Sequence, residues 1–105
     1  MALFCLICCL NITAKSSGSC GAGTWELTDD GILTISGKGN MPNYSYQDNM
    51  LAPWDSQKET IHSVIIENGI TRIGAYAFWY CNNLENVTLP SSITAIAYNA
   101  FSDCI

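Results

Sequence analysis

Positive charge is nearly missing from this sequence. Lys15, Lys38, Lys58 and Arg72 are its 4 basic residues against 9 acidic ones, they form no run, and the formal net charge is −5. A chain so poor in cations lacks the electrostatic footprint for nucleic acid or for an anionic membrane surface. Histidine is scarcer still. His62 stands alone beside Ser63, and adjacent residues of a strand point to opposite faces, so the two cannot act as base and nucleophile. Gly18, Gly21 and Gly23, like Gly37 and Gly39, have neither the spacing nor the following helix of a phosphate loop. Beyond residue 16 there is no C-x-x-C pair to begin a zinc site. The carboxylates are scattered over turns and strand edges, and nothing singles out a catalytic pair. These absences lead to a non-enzymatic reading with no cofactor and no metal.

Long apolar runs are also lacking. The apolar stretch at residues 2–12 falls well short of the roughly 20 residues that span a bilayer, but it suits the core of a secretory signal. Small and polar residues follow, from Thr13 to Gly18, and cleavage after Ala14 or Ser16 fits them. No Lys or Arg precedes the run, so a buried first strand or a misplaced start codon stays open as the alternative. A lipoprotein anchor at Cys20 fits less well, because Ser17, Gly18 and Ser19 precede it. The expected organisation is a signal peptide at 1–16, an N-terminal cap at 17–60 and repeats at 61–105. Removal of the signal predicts a secreted or cell-surface protein with no membrane insertion. It also leaves Cys20, Cys81 and Cys104, an odd number. Cys81 and Cys104 read as two buried small hydrophobes in a ladder or, less economically, as a disulfide.

Two alternating runs, Thr24 to Thr28 and Ile32 to Ser36, flank Asp29, Asp30 and Gly31 and predict a hairpin. A three-residue loop with Gly31 left-handed puts Trp25, Leu27, Leu33 and Ile35 on one face. A two-residue turn would split them between faces, so the three-residue loop is expected. Turn propensity accounts for Asp29 and Asp30 without a calcium ion. Pro53 suits the first turn of a short helix reaching about Glu59, with Trp54 turned inward. The whole segment is expected to cover the apolar end of the first repeat.

The segment from Ile61 states one pattern twice at a shift of 23 residues. Val64/Val87, Ile70/Ile93, Thr71/Thr94, Ile73/Ile96, Ala77/Ala100, Phe78/Phe101 and Cys81/Cys104 are identical pairs, and Ile61/Leu84 and Ile66/Leu89 are conservative ones. A fixed period of this size predicts a solenoid whose units bury their apolar faces by stacking. Val87 and Leu89 fall on one side of a short strand, Asn86 and Thr88 on the other. Ala77, Phe78 and Cys81, with their partners 23 residues on, are expected on the inward side of a helical turn. The fold class is therefore mainly β with short helical turns: a leucine-rich-repeat solenoid of two units, 61–83 and an incomplete 84–105, behind a hairpin cap.

With its A-F-x-x-C half the pattern resembles the BspA-type leucine-rich repeat of secreted and surface antigens. The resemblance implies a protein-interaction or adhesion module whose partners are proteins of a host surface or extracellular matrix. An architectural N-terminal segment of a larger surface protein, or a truncated non-functional product, is the alternative. The outward strand positions predict a partner surface on the concave face: His62, Ser63, Ile65, Glu67, Glu85, Asn86 and Thr88. Tyr76, Trp79, Tyr80 and Tyr98 are aromatics that the core pattern does not need, available for packing between repeats or as a ligand platform. Asn43 and Asn86 head glycosylation sequons, Asn43 in a loop and Asn86 in a strand. An uncapped last repeat also predicts self-association.

Overall fold

A computed structural model describes residues 14–104. The apolar stretch at 2–12 lies outside the described residues. Strand β1 is Ala14–Cys20, β2 Gly23–Thr28, β3 Ile32–Gly37, β4 Gly39–Asn40, β5 Ser63–Ile66, β6 Ile70–Ile73, β7 Asn86–Thr88 and β8 Ala95–Ile96, with a 3-10 helix at Asp55–Thr60.

The hairpin of β2 and β3 has the register that alternation requires. Leu27 faces Leu33, Trp25 faces Ile35 and Glu26 faces Thr34. Gly31 sits at φ +83°, a left-handed conformation that a residue without Cβ adopts freely. Its N–H donates to the Thr28 carbonyl at 3.0 Å. The Thr28 hydroxyl accepts from the Ile32 N–H at 3.2 Å, closing the loop.

Sequence alternation did not foretell β1. Its residues, mostly Ser and Gly, have low strand propensity, and main-chain pairing to β2 holds them. A register shift between Ala14 and Ser16 kinks this strand, the kind of irregularity that edge strands carry. Gly18 lies against the Trp25 indole, where a Cβ would come to 3.0 Å of Nε1. The strand crosses the boundary at residue 16 expected from the sequence.

The hairpin is continuous with the repeats. One five-stranded sheet runs β1-β2-β3-β5-β7 and a three-stranded sheet runs β4-β6-β8. β3 pairs antiparallel with β2 on one side and parallel with β5 on the other, Leu33 beside Val64 and Ile35 beside Ile66. β5 in turn pairs parallel with β7, Val64 beside Val87. In the second sheet Arg72 pairs with Ala95 and Ile73 with Ile96. Both repeat-to-repeat pairings join residues 23 apart, because the same apolar positions recur at that distance in the sequence.

The A-F-x-x-C segments are not helical turns. Ala77 N–H bonds to Gly74, Trp79 N–H to Tyr76 and Cys81 N–H to Phe78, each a three-residue step. Tyr76 and Tyr80 have φ of +57° and +59°, and Asn99 and Asp103, 23 residues on, have +56° and +61°. The alternation of right- and left-handed residues turns the Phe78 and Tyr80 N–H groups outward along the stack. They donate to Ala100 and Ser102 of the next unit at 2.8 and 3.0 Å. A continued helix would spend those donors internally.

Between the sheets and the turns lies the core. Leu27, Leu33, Ile35, Ile61, Val64 and Ile73 are fully buried. Alongside them runs an aromatic row in which Trp25 meets Trp54 edge-on at 5.8 Å, Trp54 stacks on Phe78 at 5.6 Å and Phe78 stacks on Phe101 at 5.2 Å. Trp54 Nε1–H donates to the Ala77 carbonyl at 2.8 Å, so the one polar atom of a buried indole is satisfied.

Candidate functional site

Because Trp25, Leu27, Leu33, Ile35, Val64 and Ile66 point into the core, the intervening residues form the opposite face of the large sheet. Register places Ser17, Glu26, Thr34, Ile65 and Thr88 in one row across all five strands. Ile32, Ser63 and Asn86 form a second row, and Ser19, Thr24 and Ser36 a third. Within the third row the Thr24 and Ser36 hydroxyls are 3.2 Å apart.

Of the residues expected from sequence, Ser63, Ile65, Asn86 and Thr88 therefore share one surface. His62, Glu67 and Glu85 are exposed at its margins, where Glu85 N–H bonds to the His62 carbonyl at 2.8 Å and Glu67 N–H to the Ile35 carbonyl at 2.9 Å. Sequence reasoning missed the other half of the face, contributed by β1, β2 and β3. Thr24, Glu26, Thr34 and Ser36 were legible as the polar side of the hairpin; their union with the repeat strands was not. The face is rich in hydroxyls and, Ile32 and Ile65 aside, polar.

A second group of side chains lies on the turns. Tyr46, held in a tight loop by the Ser45–Met50 bridge, stacks on Trp79 at 4.5 Å and meets Tyr76 edge-on at 5.4 Å. Tyr76 meets Tyr98 of the next unit at 5.9 Å, so packing between repeats, one of the two uses expected of these rings, is present. Lys58 Nζ lies 4.6 Å from the Trp79 ring centre and 3.3 Å from Asp55 Oδ1. No enclosed cavity opens beside these rings or elsewhere among the described residues.

All three described thiols are free. Burial, followed by the neighbouring Cys104, pushes the Cys81 thiol up to about 12. Burial also raises Cys20 and Cys104 and, together with Cys20, the Tyr44 phenol. The Cys104 Sγ–H donates to the Phe78 carbonyl at 3.0 Å. A raised pKa means that the folded state binds the proton more tightly than the unfolded chain. The corresponding stability is complete below the ordinary thiol value and is lost as pH rises through the folded one. The melting temperature is expected to fall steadily between pH 9.0 and about 12. At neutral pH, iodoacetamide should modify Cys81 at least about a hundredfold more slowly in the folded protein than in denaturant, a ratio that peptide mass mapping reads directly.

Asn43 and Asn86 are both exposed, but Asn43 has a structural task. Its Oδ1 accepts from the Ala75 N–H at 2.9 Å and ties the loop to the first repeat. Asp29 and Asp30 lie exposed in the hairpin turn. Among the described residues no three metal-ligating side chains cluster.

Stacked parallel strands joined by short turns, with identical apolar residues aligned from unit to unit, define a leucine-rich-repeat architecture. The family model for the BspA type leucine rich repeat region (6 copies) matches residues 56–105. The crystal structure of a leucine-rich repeat protein from Eubacterium ventriosum ATCC 27560 is similar, with a TM-score of 0.74 and 39% identity over 85% of this chain and 24% of that one. This chain thus spans about a quarter of that protein's length. No curated protein matches it. Its repeat portion belongs to the BspA-type leucine-rich-repeat family.

Proposed function

We propose that the chain is a non-enzymatic protein-interaction module of a secreted or cell-surface protein, working as an adhesion surface toward host or matrix proteins. Residues 1–16 act as a signal peptide, residues 17–60 cap the stack, and the repeats at 61–83 and 84–105 form a short solenoid. The observation that carries the reading is the five-stranded outward face, with Ser63, Ile65, Asn86 and Thr88 in register and His62, Glu67 and Glu85 along its edge. Strands about 4.8 Å apart give a face on the order of 400 Å², about half of the roughly 800 Å² per partner in a standard interface. Affinity is accordingly weak for this segment and grows with repeat number through avidity. Val87, Leu89 and Ile96 are exposed, an apolar edge that supports self-association.

The test replaces Ile65, Glu67, Glu85 and Thr88 together with lysine and verifies the fold by circular dichroism. The folded variant should lose at least about tenfold in binding to immobilised extracellular-matrix proteins. Undiminished binding overturns the assignment of this face. A second reading, favoured by the small share of the solved relative that the chain spans, makes it an architectural segment of a larger surface protein. In that case the chain alone binds no matrix protein.

A further inference from the structure

The aromatic turn surface is built at a cost that the repeat pattern does not require. Each unit needs two left-handed residues, at 76 and 80 in the first and at 99 and 103 in the second. Asn99 and Asp103 are residues that tolerate this conformation, whereas tyrosine, bulky beyond Cβ, resists it. The first unit nonetheless places Tyr76 and Tyr80 there. Neither ring belongs to the buried row of Trp25, Trp54, Phe78 and Phe101. With Tyr46 they surround Trp79, and Tyr98 extends the group to the next unit. Tyr98, Tyr46 and Tyr80 are 69, 43 and 40% exposed, too much for rings whose task is packing alone.

The chemistry around these rings points to the class of ligand. Lys58, the cation over Trp79 and Tyr80, is paired with Asp55, so its charge is already answered. Exposed amides and one carboxylate accompany the rings: Gln47, Asp48 and Asn49 share the loop of Tyr46, Asn82 follows Tyr80 closely in the chain, and Asn99 Nδ2 donates to the Tyr76 hydroxyl at 2.9 Å; the carboxylate disfavours an anionic ligand. Protein-binding hot spots combine Trp and Tyr with arginine, whereas here the polar partners are amides, phenols and the Asp48 carboxylate, with no arginine among them. Amides and phenols both donate and accept and therefore match hydroxyls. Open ring faces carry negative potential that attracts polarised C–H bonds. The surface has no cavity to enclose a small molecule, which suits an extended one.

We infer that this surface is a second binding site, distinct from the sheet face, and that its ligand is a neutral polysaccharide. Sugar rings lie with their C–H faces on Tyr46, Tyr80 and Tyr98, and their hydroxyls bond to the amides and phenols between them.

The experiment uses the full chain and variants that borrow residues from the second repeat, Tyr76→Asn with Tyr80→Asp. These suit the local backbone, so the melting temperature should hold or rise. Tyr98→Ser serves as a separate variant that leaves both strained positions alone. Retention is measured on insoluble cellulose, chitin, xylan and mannan, together with the change in tryptophan fluorescence on adding soluble xylan and mannan. Expected is retention of the unaltered chain on at least one of the four, a fluorescence change through Trp79, and at least a tenfold loss in both variants. The lysine variant of the sheet face should bind the polysaccharide unchanged, which separates this site from the proposed protein-binding one. Absence of retention on all four, or retention unaffected by both tyrosine variants, overturns the inference. So does a loss confined to protein ligands, which would make the rings a protein-binding patch.

Discussion

Trp54→Ala is expected to cost about 3–5 kcal/mol, the largest single effect available in the molecule. The indole is 1% exposed and touches Trp25, Tyr44 and Phe78, which come from the hairpin, the following loop and the first repeat. Its removal leaves a cavity where these three elements meet and strands the Ala77 carbonyl that accepted its N–H. A domain of this size has roughly 5–15 kcal/mol of stability in all, so the variant should melt far below the parent or fail to fold. Chemical denaturation followed by fluorescence measures the difference. Trp54→Phe keeps most of the volume and should lose about half as much, mainly through the missing hydrogen bond and the residual void. Equal losses in the two variants would mean that the site is less tightly packed than the ring distances indicate.

Gly74→Ala is expected to cost about 2–4 kcal/mol, although it adds a single methyl group. An added Cβ would overlap the Pro42 carbonyl oxygen, which is backbone and has no rotamer by which to retreat. Relief requires the 42–44 segment to lift, and that segment is fastened by the bond from Tyr44 N–H to the Ala75 carbonyl at 2.8 Å and by the Asn43 side chain. The equivalent place in the second unit is Ala97, buried and carrying the methyl group without difficulty. The reciprocal change Ala97→Gly should therefore cost only about 1 kcal/mol, through backbone entropy and a lost contact. Comparable melting temperatures for the two variants would contradict the close approach at Pro42.

That single-methyl difference also shows where sequence reading reaches its limit. The hairpin was legible because Trp25, Leu27, Leu33 and Ile35 alternate strictly, and only one loop length puts them on the same side. The repeat was legible because seven identities recur at one shift. β1 was not, since Ser and Gly carry no apolar alternation and the strand is specified by the chain it pairs with. The union of hairpin and repeats was not, because β3 and β5 meet across a long connection whose path no local preference dictates. The turns were mistaken for helical ones because Tyr76 and Tyr80 contradict their own conformational preference. For the candidate sites, the outward residues of β5 and β7 followed from periodicity. The hydroxyl rows beside them and the ring Tyr46 supplies arise from tertiary placement.

β3 is the strand at which antiparallel pairing gives way to parallel pairing, and this sets an order of assembly. A hairpin with a three-residue loop closes in roughly 1–10 μs, whereas parallel partners separated by a long connection meet slowly. The hairpin also emerges from the ribosome before the repeats. Each later unit then finds a finished strand edge with its donors and acceptors already aligned, and the search for register reduces to docking one short strand on a template. Direction in the sequence becomes direction in time.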